Sequence, residues 1–475
     1  MVFSSVTFIF LFLPIVLLIY FSVRKEFRNA VLLISSIIFY AWGEPLIVLI
    51  VLCSLILNYL FGLLINYLQQ KDSKLIYHKL TMVFCVLLNI GLLVYYKYTN
   101  FLVLNIREIF NSPDIFSNFK YIALPIGISF YTFHELSYVV DIYRKVAKVQ
   151  KNILNLALYI LFFPQLVAGP IIRYHDVCDQ LTDRTVDLEG FSYGIRRFLL
   201  GLAKKVLIAN TMGQVADSIF AIHANNLTAP LAWLGIISYS LQIYFDFSGY
   251  SDMAIGIARM FGFKFLENFN YPYISQSITE FWRRWHISLS NWFRDYLYIP
   301  LGGNRKGKFK TYRNLIIVFL CTGIWHGASM NFLIWGLYYG VFLILEKTKV
   351  IYFGIKFEKT VGRIYTLFVV IIGWVFFRSE TLHQSKNYLY SMFGLAKTQS
   401  IFTLSYFITP KYIITLIIAI IGCMPIFRNK FLKLENRSIG ITQAVVRDIF
   451  ILAVTVLSIL YIANMSYNPF IYFRF

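Results

Sequence analysis

The chain alternates long apolar runs with short charged segments. Apolar stretches occupy about 6–23, 30–42, 45–68 and 80–97, separated by Arg24-Lys25-Glu26-Phe27-Arg28, by Gly43-Glu44-Pro45, and by a segment carrying Lys71, Lys74 and Lys79. Since roughly 20 apolar residues cross a bilayer as a helix, these runs predict membrane spans. Basic connections belong on the cytoplasmic side. The N-terminus and the second and fourth connections are therefore expected outside. A fifth run at about 120–142 ends in Arg144-Lys145, with Lys148 and Lys151 behind it, and returns the chain inside. Residues 100–118 mix Ile, Phe and Val with Arg107, Glu108 and Asp114, which predicts an interfacial helix on the outer side.

Further along, the pattern becomes less regular. Leu124-Pro125-Ile126-Gly127 sets Pro and Gly within a span, tolerated where neighbouring protein satisfies the freed backbone. His134 and Glu135 follow, and His134 reads as structural support, with a role near substrate as the alternative. The run at about 153–168 is short, contains Phe163-Pro164-Gln165 and ends at Gly169-Pro170, as a re-entrant hairpin would. Residues 171–194 are the most polar, with Arg173, His175, Asp176, Asp179, Asp183 and Arg184. They predict a cytoplasmic amphipathic segment whose His and Asp residues lack metal-ligand spacing. A return to the membrane over about 195–265 ends in Tyr244-Phe245-Asp246-Phe247-Ser248-Gly249-Tyr250-Ser251-Asp252-Met253. Six positions apart, Asp246 and Asp252 fall on different helical faces, unsuited to a catalytic dyad. They are expected to anchor nearby arginines or an unwound backbone at Ser248-Gly249. Runs at about 361–378, 411–427 and 446–463 read as scaffold.

Composition fixes the class. Of 475 residues, 58% are hydrophobic, 19% aromatic and 14% charged, and the mean hydropathy is +0.65, far from a soluble domain. The expectation is an all-α polytopic membrane protein of about ten to twelve spans, one domain over 1–465 with its core at about 120–345 and an aromatic tail at 466–475. The first run has neither a basic leader nor a small-residue cleavage site and reads as a first span. A net charge of +21 lies largely in short connections, where orientation signals and anionic lipid account for most of it and a phosphate-rich cytoplasmic ligand for part of the rest. Interrupted by spans, these cations form no continuous solvated face, which excludes nucleic acid. Cys53, Cys85, Cys178, Cys321 and Cys423 are scattered without a C-x-x-C pair and read as buried thiols.

The candidate chemistry is concentrated in Glu280-Phe281-Trp282-Arg283-Arg284-Trp285-His286, its sequel Asn291-Trp292-Phe293-Arg294-Asp295-Tyr296, and Gly323-Ile324-Trp325-His326-Gly327. Polar groups are expensive in such surroundings, so function is the default explanation. Glu280 to Arg283 and Arg283 to His286 are three apart, which on a helix puts carboxylate, guanidinium and imidazole on one face. Pro300-Leu301-Gly302-Gly303-Asn304-Arg305-Lys306-Gly307-Lys308-Phe309-Lys310 is a glycine-rich cationic turn fit to cradle an anion at the cytoplasmic mouth. The alternative is an ordinary basic loop. His326 lies in an apolar run, accompanied by a second histidine, aromatic residues and that turn. The C-terminus packs four aromatic residues into Phe470-Ile471-Tyr472-Phe473-Arg474-Phe475. Frayed tails are usually polar, so this one is expected to insert.

Taken together, Leu124 to Arg144, Phe245 to Met253, Asn270 to Gly303 and Gly323 to Ser329 resemble the membrane-bound O-acyltransferase (MBOAT) superfamily, in its alginate and peptidoglycan O-acetylation branch. The resemblance implies a helical bundle with re-entrant segments and a central funnel or tunnel. It implies acyl transfer from a cytoplasmic thioester, acetyl-CoA or an acyl carrier, to an acceptor outside a bacterial inner membrane. No bound cofactor or metal is implied. The catalytic histidine falls on His326 and its partner on His286, with Trp325, Asp246, Asp252 and His134 as tunnel or structural support. Arg283, Arg284, Arg294, Arg305, Lys306 and Lys308 are the expected donor-binding cations. A neutral imidazole, with an ordinary pKa near ~6.5, can take the proton of an attacking hydroxyl. The aromatic tail resembles the C-terminal motif of the small partner in teichoic acid D-alanylation. That likeness implies a tyrosyl ester at Tyr472, passed to a secreted or membrane-anchored SGNH/GDSL-type partner; aromatic anchoring at the membrane interface is the alternative.

Other readings are D-alanyl transfer from a carrier protein, a transporter of a lipid-linked intermediate and a metalloenzyme. Transporters often show paired halves with matching broken helices, and no such pairing is visible. His286 and His326 supply two metal ligands with no further spacing to complete a site.

Overall fold

The computed structural model describes residues 1–43, 45–71, 74–112, 116–166, 169–351, 358–396, 402–426, 440–464 and 467–469, and these hold helices and no strand. They divide into two compact units, Met1–Phe191 with Ile257–Leu266, and Ser192–Gly256 with Glu267–Phe475. Four helices are long and apolar enough to cross a membrane, over Val48–Gln70, Leu75–Ile109, Lys359–Arg378 and Ile441–Asn464, with shorter apolar ones at Phe8–Ser22 and Pro410–Gly422.

In the first unit, α1 (Leu13–Ser22), α2 (Arg28–Ala41), α3 (Pro45–Gln70), α4 (Leu75–Ile109) and α5 (Ile128–Tyr143) follow the apolar runs. Two boundaries differ: the fifth run, expected from about 120 with Pro125 and Gly127 inside the span, becomes helical only at Ile128, after both of them. The expected interfacial helix at 100–118 is largely the continuation of α4, whose 35 residues pass unbroken through Lys97 and Asn105. Lys97 Nζ reaches Ser129 Oγ at 3.2 Å, and Asn105 bonds the carbonyl of Phe101 one turn back, so neither polar group breaks the helix. Gly127, at φ 77°, supplies the left-handed turn from which α5 starts. Helices α3, α4 and α5 are fastened by buried polar contacts. Asn58 and Asn89 exchange amide hydrogen bonds at 3.1 and 2.9 Å, Cys85 Sγ donates to Asn58 Oδ1, and Ser54 Oγ donates to Glu135 at 2.8 Å. Such bonds between helices replace a hydrophobic drive that lipid tails do not supply. His134 is fully buried in this unit, its ring 5.6 Å from that of Tyr159.

The short run breaks into α6 (Ile153–Leu161) and α7 (Phe163–Leu166). At 1.5 Å per residue, a nine-residue helix covers only about 14 Å, half a bilayer core. The polar stretch that follows is less solvated than expected. Within α8 (Tyr174–Val177), Tyr174 and Val177 are buried. His175 meets the buried Asp141, whose Oδ2 accepts from its Nδ1 at 2.8 Å and from its backbone N–H at 3.0 Å.

The second unit holds the end of α9 (Leu188–Ala203), α10 (Asn210–Phe220), most of α11 (Ala229–Met260), α12 (Ile278–Arg284), α13 (Ile287–Phe293), α14 (Lys308–His326), α15 (Met330–Lys347), α16 (Glu358–Arg378), α17 (Leu382–Met392), α18 (Leu404–Phe407), α19 (Pro410–Gly422) and α20 (Ile441–Asn464). A π-helical turn, Lys204–Ala209, joins α9 to α10. Contrary to the expected unwinding, α11 runs straight through Ser248-Gly249. Gly249 serves contact instead: a Cβ there would stand 2.7 Å from the carbonyl oxygen of Gly201, and one on Gly201 would stand 2.6 Å from that of Gly249. Small residues let the two backbones touch.

The hydrogen bond to Asp141 raises the pKa of His175 above its ordinary value, assisted by the charge of Asp141 and Asp176 and opposed by burial and Arg173. A raised value stabilises the fold fully below about pH 6.5 and less as pH climbs through the elevated value. The apparent Tm should therefore fall from pH 6 towards pH 9, and His175→Gln should flatten that slope.

Candidate functional site

The stretch Glu280 to His286 does not form one helical face. Helix α12 ends at Arg284, Trp285 is extended (φ −101°, ψ 128°), and His286 adopts a left-handed conformation (φ 44°, ψ 55°). Glu280 therefore pairs with Arg284, at 2.8 Å, and not with Arg283, while His286 turns inward. There Asn268 Oδ1 accepts from the backbone N–H and hydroxyl of Ser288, at 3.2 and 2.9 Å, and meets His286 Nδ1 at 3.1 Å. Because Ser288 N–H can only donate, that amide oxygen is fixed in place, and Nδ1 must carry the imidazole proton. His286 is 1% exposed, and its Nε2 has no partner among the described residues. A neutral ring so held presents a lone pair.

The N-terminus of α12 is secured from α15. Glu346 accepts from the N–H groups of Ile278 and Thr279, at 2.6 and 2.9 Å, and from the Thr279 hydroxyl at 2.6 Å. A carboxylate at that end satisfies otherwise open donors and opposes the helix dipole. Glu346 was not among the sequence candidates. Its spacing from α12 carries no signal.

His326 ends α14 and is buried in aromatic rings. Those of Trp325, Phe377 and Trp335 lie 5.0, 5.1 and 5.2 Å away, all edge-on, and that of Phe332 at 6.4 Å. Trp325 also neighbours His286, ring to ring at 6.3 Å, so both histidines share one indole. The glycines around His326 are explained by the turn into α15. A Cβ on Gly323 would meet the Phe332 carbonyl oxygen at 2.2 Å, and one on Gly327 would meet the Phe332 ring at 2.2 Å. Trp335 Nε1, an indole donor, has no acceptor among the described residues.

The cationic turn stands apart from this centre. Gly302, Gly303 and Gly307 take φ values of 104°, 55° and 90°, Asn314 of α14 bonds the carbonyls of Leu301 and Gly303, and Arg305, Lys306 and Lys308 are exposed. Arg283 and Arg294 are exposed as well, the latter against Asp295 at 2.7 Å; Arg284, also bound to the Asn270 carbonyl, is partly covered. Lys308 opens α14 and His326 closes it, 19 residues that rise about 27 Å from first to last. Cations and imidazole thus occupy opposite ends of one helix.

The two aspartates are each ion-paired. Asp252 takes Arg197 at 2.8 Å and Lys204 at 2.6 Å, and Arg197 also holds Glu267. Asp246 takes Lys205 at 2.8 Å. The signal was present in the sequence: Lys204-Lys205 interrupts an apolar run, and buried cations need acids. The tail is described at Tyr467-Asn468-Pro469, where Tyr467 Oη donates to Asp217 at 2.7 Å. Tyr472 lies outside the described residues.

The profile of the membrane-bound O-acyltransferase family matches residues 37–391. A protein of Pseudomonas putida named probable alginate O-acetylase AlgI is 42% identical over all of both chains. The peptidoglycan O-acetyltransferase of Helicobacter pylori is 35% identical, covering 83% of this chain and 80% of its own. The teichoic acid D-alanyltransferase of Bacillus subtilis is 33% identical over 46% of this chain and 58% of its own.

Glu346→Gln should lower stability by about 1–3 kcal/mol, since it weakens charge-assisted bonds at a helix end. Gly323→Ala should cost a similar ~1–3 kcal/mol by overpacking the α14–α15 crossing. Thermal unfolding in detergent, monitored by tryptophan fluorescence, measures both; unchanged midpoints would contradict these packing assignments.

Proposed function

This chain belongs to the membrane-bound O-acyltransferase family and is a multi-pass membrane O-acyltransferase, and we propose that it moves an acetyl group from a cytoplasmic thioester to an extracytoplasmic polysaccharide. His326 takes the proton of the attacking hydroxyl. The oxygen bonds to the thioester carbonyl carbon, the carbon–sulfur bond breaks, and the imidazolium returns the proton to the departing thiolate. The Trp335 indole N–H, on a ring 5.2 Å from His326, is available to the carbonyl oxygen as it gains charge. His286, its proton held by Asn268, offers its Nε2 lone pair to orient the incoming hydroxyl. The single observation that carries this reading is the pair of buried histidines sharing Trp325.

The first acceptor in this reading is the hydroxyl of Tyr472, and acetyl-CoA is the donor, its phosphates met by Arg283, Arg284, Arg294, Arg305, Lys306 and Lys308. The tyrosyl ester then passes the acetyl group to a polysaccharide hydroxyl through an SGNH/GDSL-type partner, which regenerates the phenol. The membrane is the bacterial inner membrane. Likeness to the acetylating relatives over most of the chain favours acetyl over D-alanyl transfer, where likeness covers less than half.

Incubating purified protein with acetyl-CoA or a D-alanyl carrier, each labelled in its acyl group, followed by peptide mapping, tests the relay and the donor together. Label from acetyl-CoA on Tyr472 is expected. Label only from the D-alanyl carrier, or only at other residues, contradicts the proposal.

A further inference from the structure

The C-terminal tail is gripped at three points by groups that neither the family match nor the catalytic reading uses. Asp217 accepts from Tyr467 Oη at 2.7 Å through one oxygen and from Arg378 at 2.7 Å through the other. The Arg378 guanidinium lies over the rings of Phe220 and Tyr239, 5.0 and 5.8 Å from their centres, which fixes the carboxylate it holds. Asn210 Nδ2 approaches the Tyr467 carbonyl and Asn468 Oδ1, both at 3.4 Å. Lys205 Nζ donates to the Pro469 carbonyl.

Lys205 makes this more than a chance contact. An ammonium carries three N–H donors. Lys205 is ion-paired with Asp246 at 2.8 Å, and it donates to Asn210 Oδ1 at 2.8 Å and to the tail's main-chain carbonyl. Lys205 is 2% exposed, so losing the tail would strip a buried ammonium of one of its two hydrogen-bond acceptors among the described residues. Gly213, one turn before Asp217, leaves room for both the Gln242 amide and the phenol: a Cβ there would stand 2.6 Å from Gln242 Nε2 and 2.9 Å from Tyr467 Oη.

We propose that Lys205, Asn210, Gly213 and Asp217 form a peptide-docking site whose occupant is the chain's own C-terminal tail, read as a tyrosine followed two residues later by a prolyl carbonyl. Docking holds Pro469 in fixed register, and the three residues from there to Tyr472 reach at most about 10 Å. Arg378 follows Phe377, whose ring is 5.1 Å from His326, so the clasp is built beside the catalytic centre. The purpose of the site, delivering Tyr472, rests on the acyl-relay reading above; the docking itself does not.

The test uses the full chain in lipid nanodiscs with Asn468→Cys, and site-resolved mass spectrometry follows its alkylation by a soluble maleimide. Adding Tyr467→Phe, which leaves the bundle intact, should speed alkylation at least about tenfold, since it removes a hydrogen bond to a carboxylate. Lys205→Met should speed it further, while Cys85 and Cys423, both buried, stay slow and report an intact bundle. Rates within twofold of the parent in both variants would overturn the docking site, whatever is found at Tyr472. Faster alkylation in both, without acetyl on Tyr472 in the parent, would leave the docking site standing and remove its assigned purpose. Alkylation markedly faster in nanodiscs holding one copy than in those holding several would show a tail docked in a neighbouring molecule, and would overturn the choice of occupant.

Discussion

A polar group shut away from water costs roughly 2–7 kcal/mol unless it is partnered, and a charge costs more. In a chain with 58% hydrophobic residues that penalty selects the arrangement of many buried polar side chains. Asp252 is held by Arg197 and Lys204, Asp246 by Lys205, and Asp217 by Arg378 and Tyr467. Asn58 and Asn89 satisfy one another across α3 and α4. His286 differs from the other buried groups without a hydrogen-bond partner in that one ring nitrogen is locked by Asn268, which aims the open one. A lone pair left open at such cost fits a group that must meet a substrate.

The architecture was legible because hydrophobic periodicity and charge placement are local properties. The apolar runs became helices, Gly127 marked a true left-handed turn, and Gly302, Gly303 and Gly307 took the positive φ values expected of a glycine-rich turn. Interruptions were harder to read. Arg107, Glu108 and Asp114 suggested a separate interfacial helix at 100–118, but Lys97 has Ser129 on another helix and Asn105 bonds its own, so α4 continues to Ile109. Ser248-Gly249 suggested a break, but that glycine exists to let α9 and α11 touch.

At the site, the residue types were legible and their arrangement was not. Equal spacing along a presumed helix placed Glu280, Arg283 and His286 together, whereas the backbone turns at Trp285 and sends the imidazole inward. Helical periodicity has no means of anticipating where a helix stops when the residues that follow it are held by another segment, as Asn268 holds His286 and Ser288. Glu346 and Asp217 were missed for the same reason: their roles are set by partners 67 to 250 positions away. The separation of Lys308 from His326 by the length of α14 follows simply from their positions at its two ends. An extended donor whose anionic part and reactive carbonyl are well apart suits that spacing.

The central claim is that the His326 imidazole strips a proton as the new ester bond forms. Single-turnover release of free thiol from acetyl-CoA, measured by rapid quench on folded His326→Ala protein, tests it most directly. A fall of about two to four orders of magnitude is expected, the usual worth of a general base. Thiol release at the parent rate, on protein shown to be folded, would contradict it.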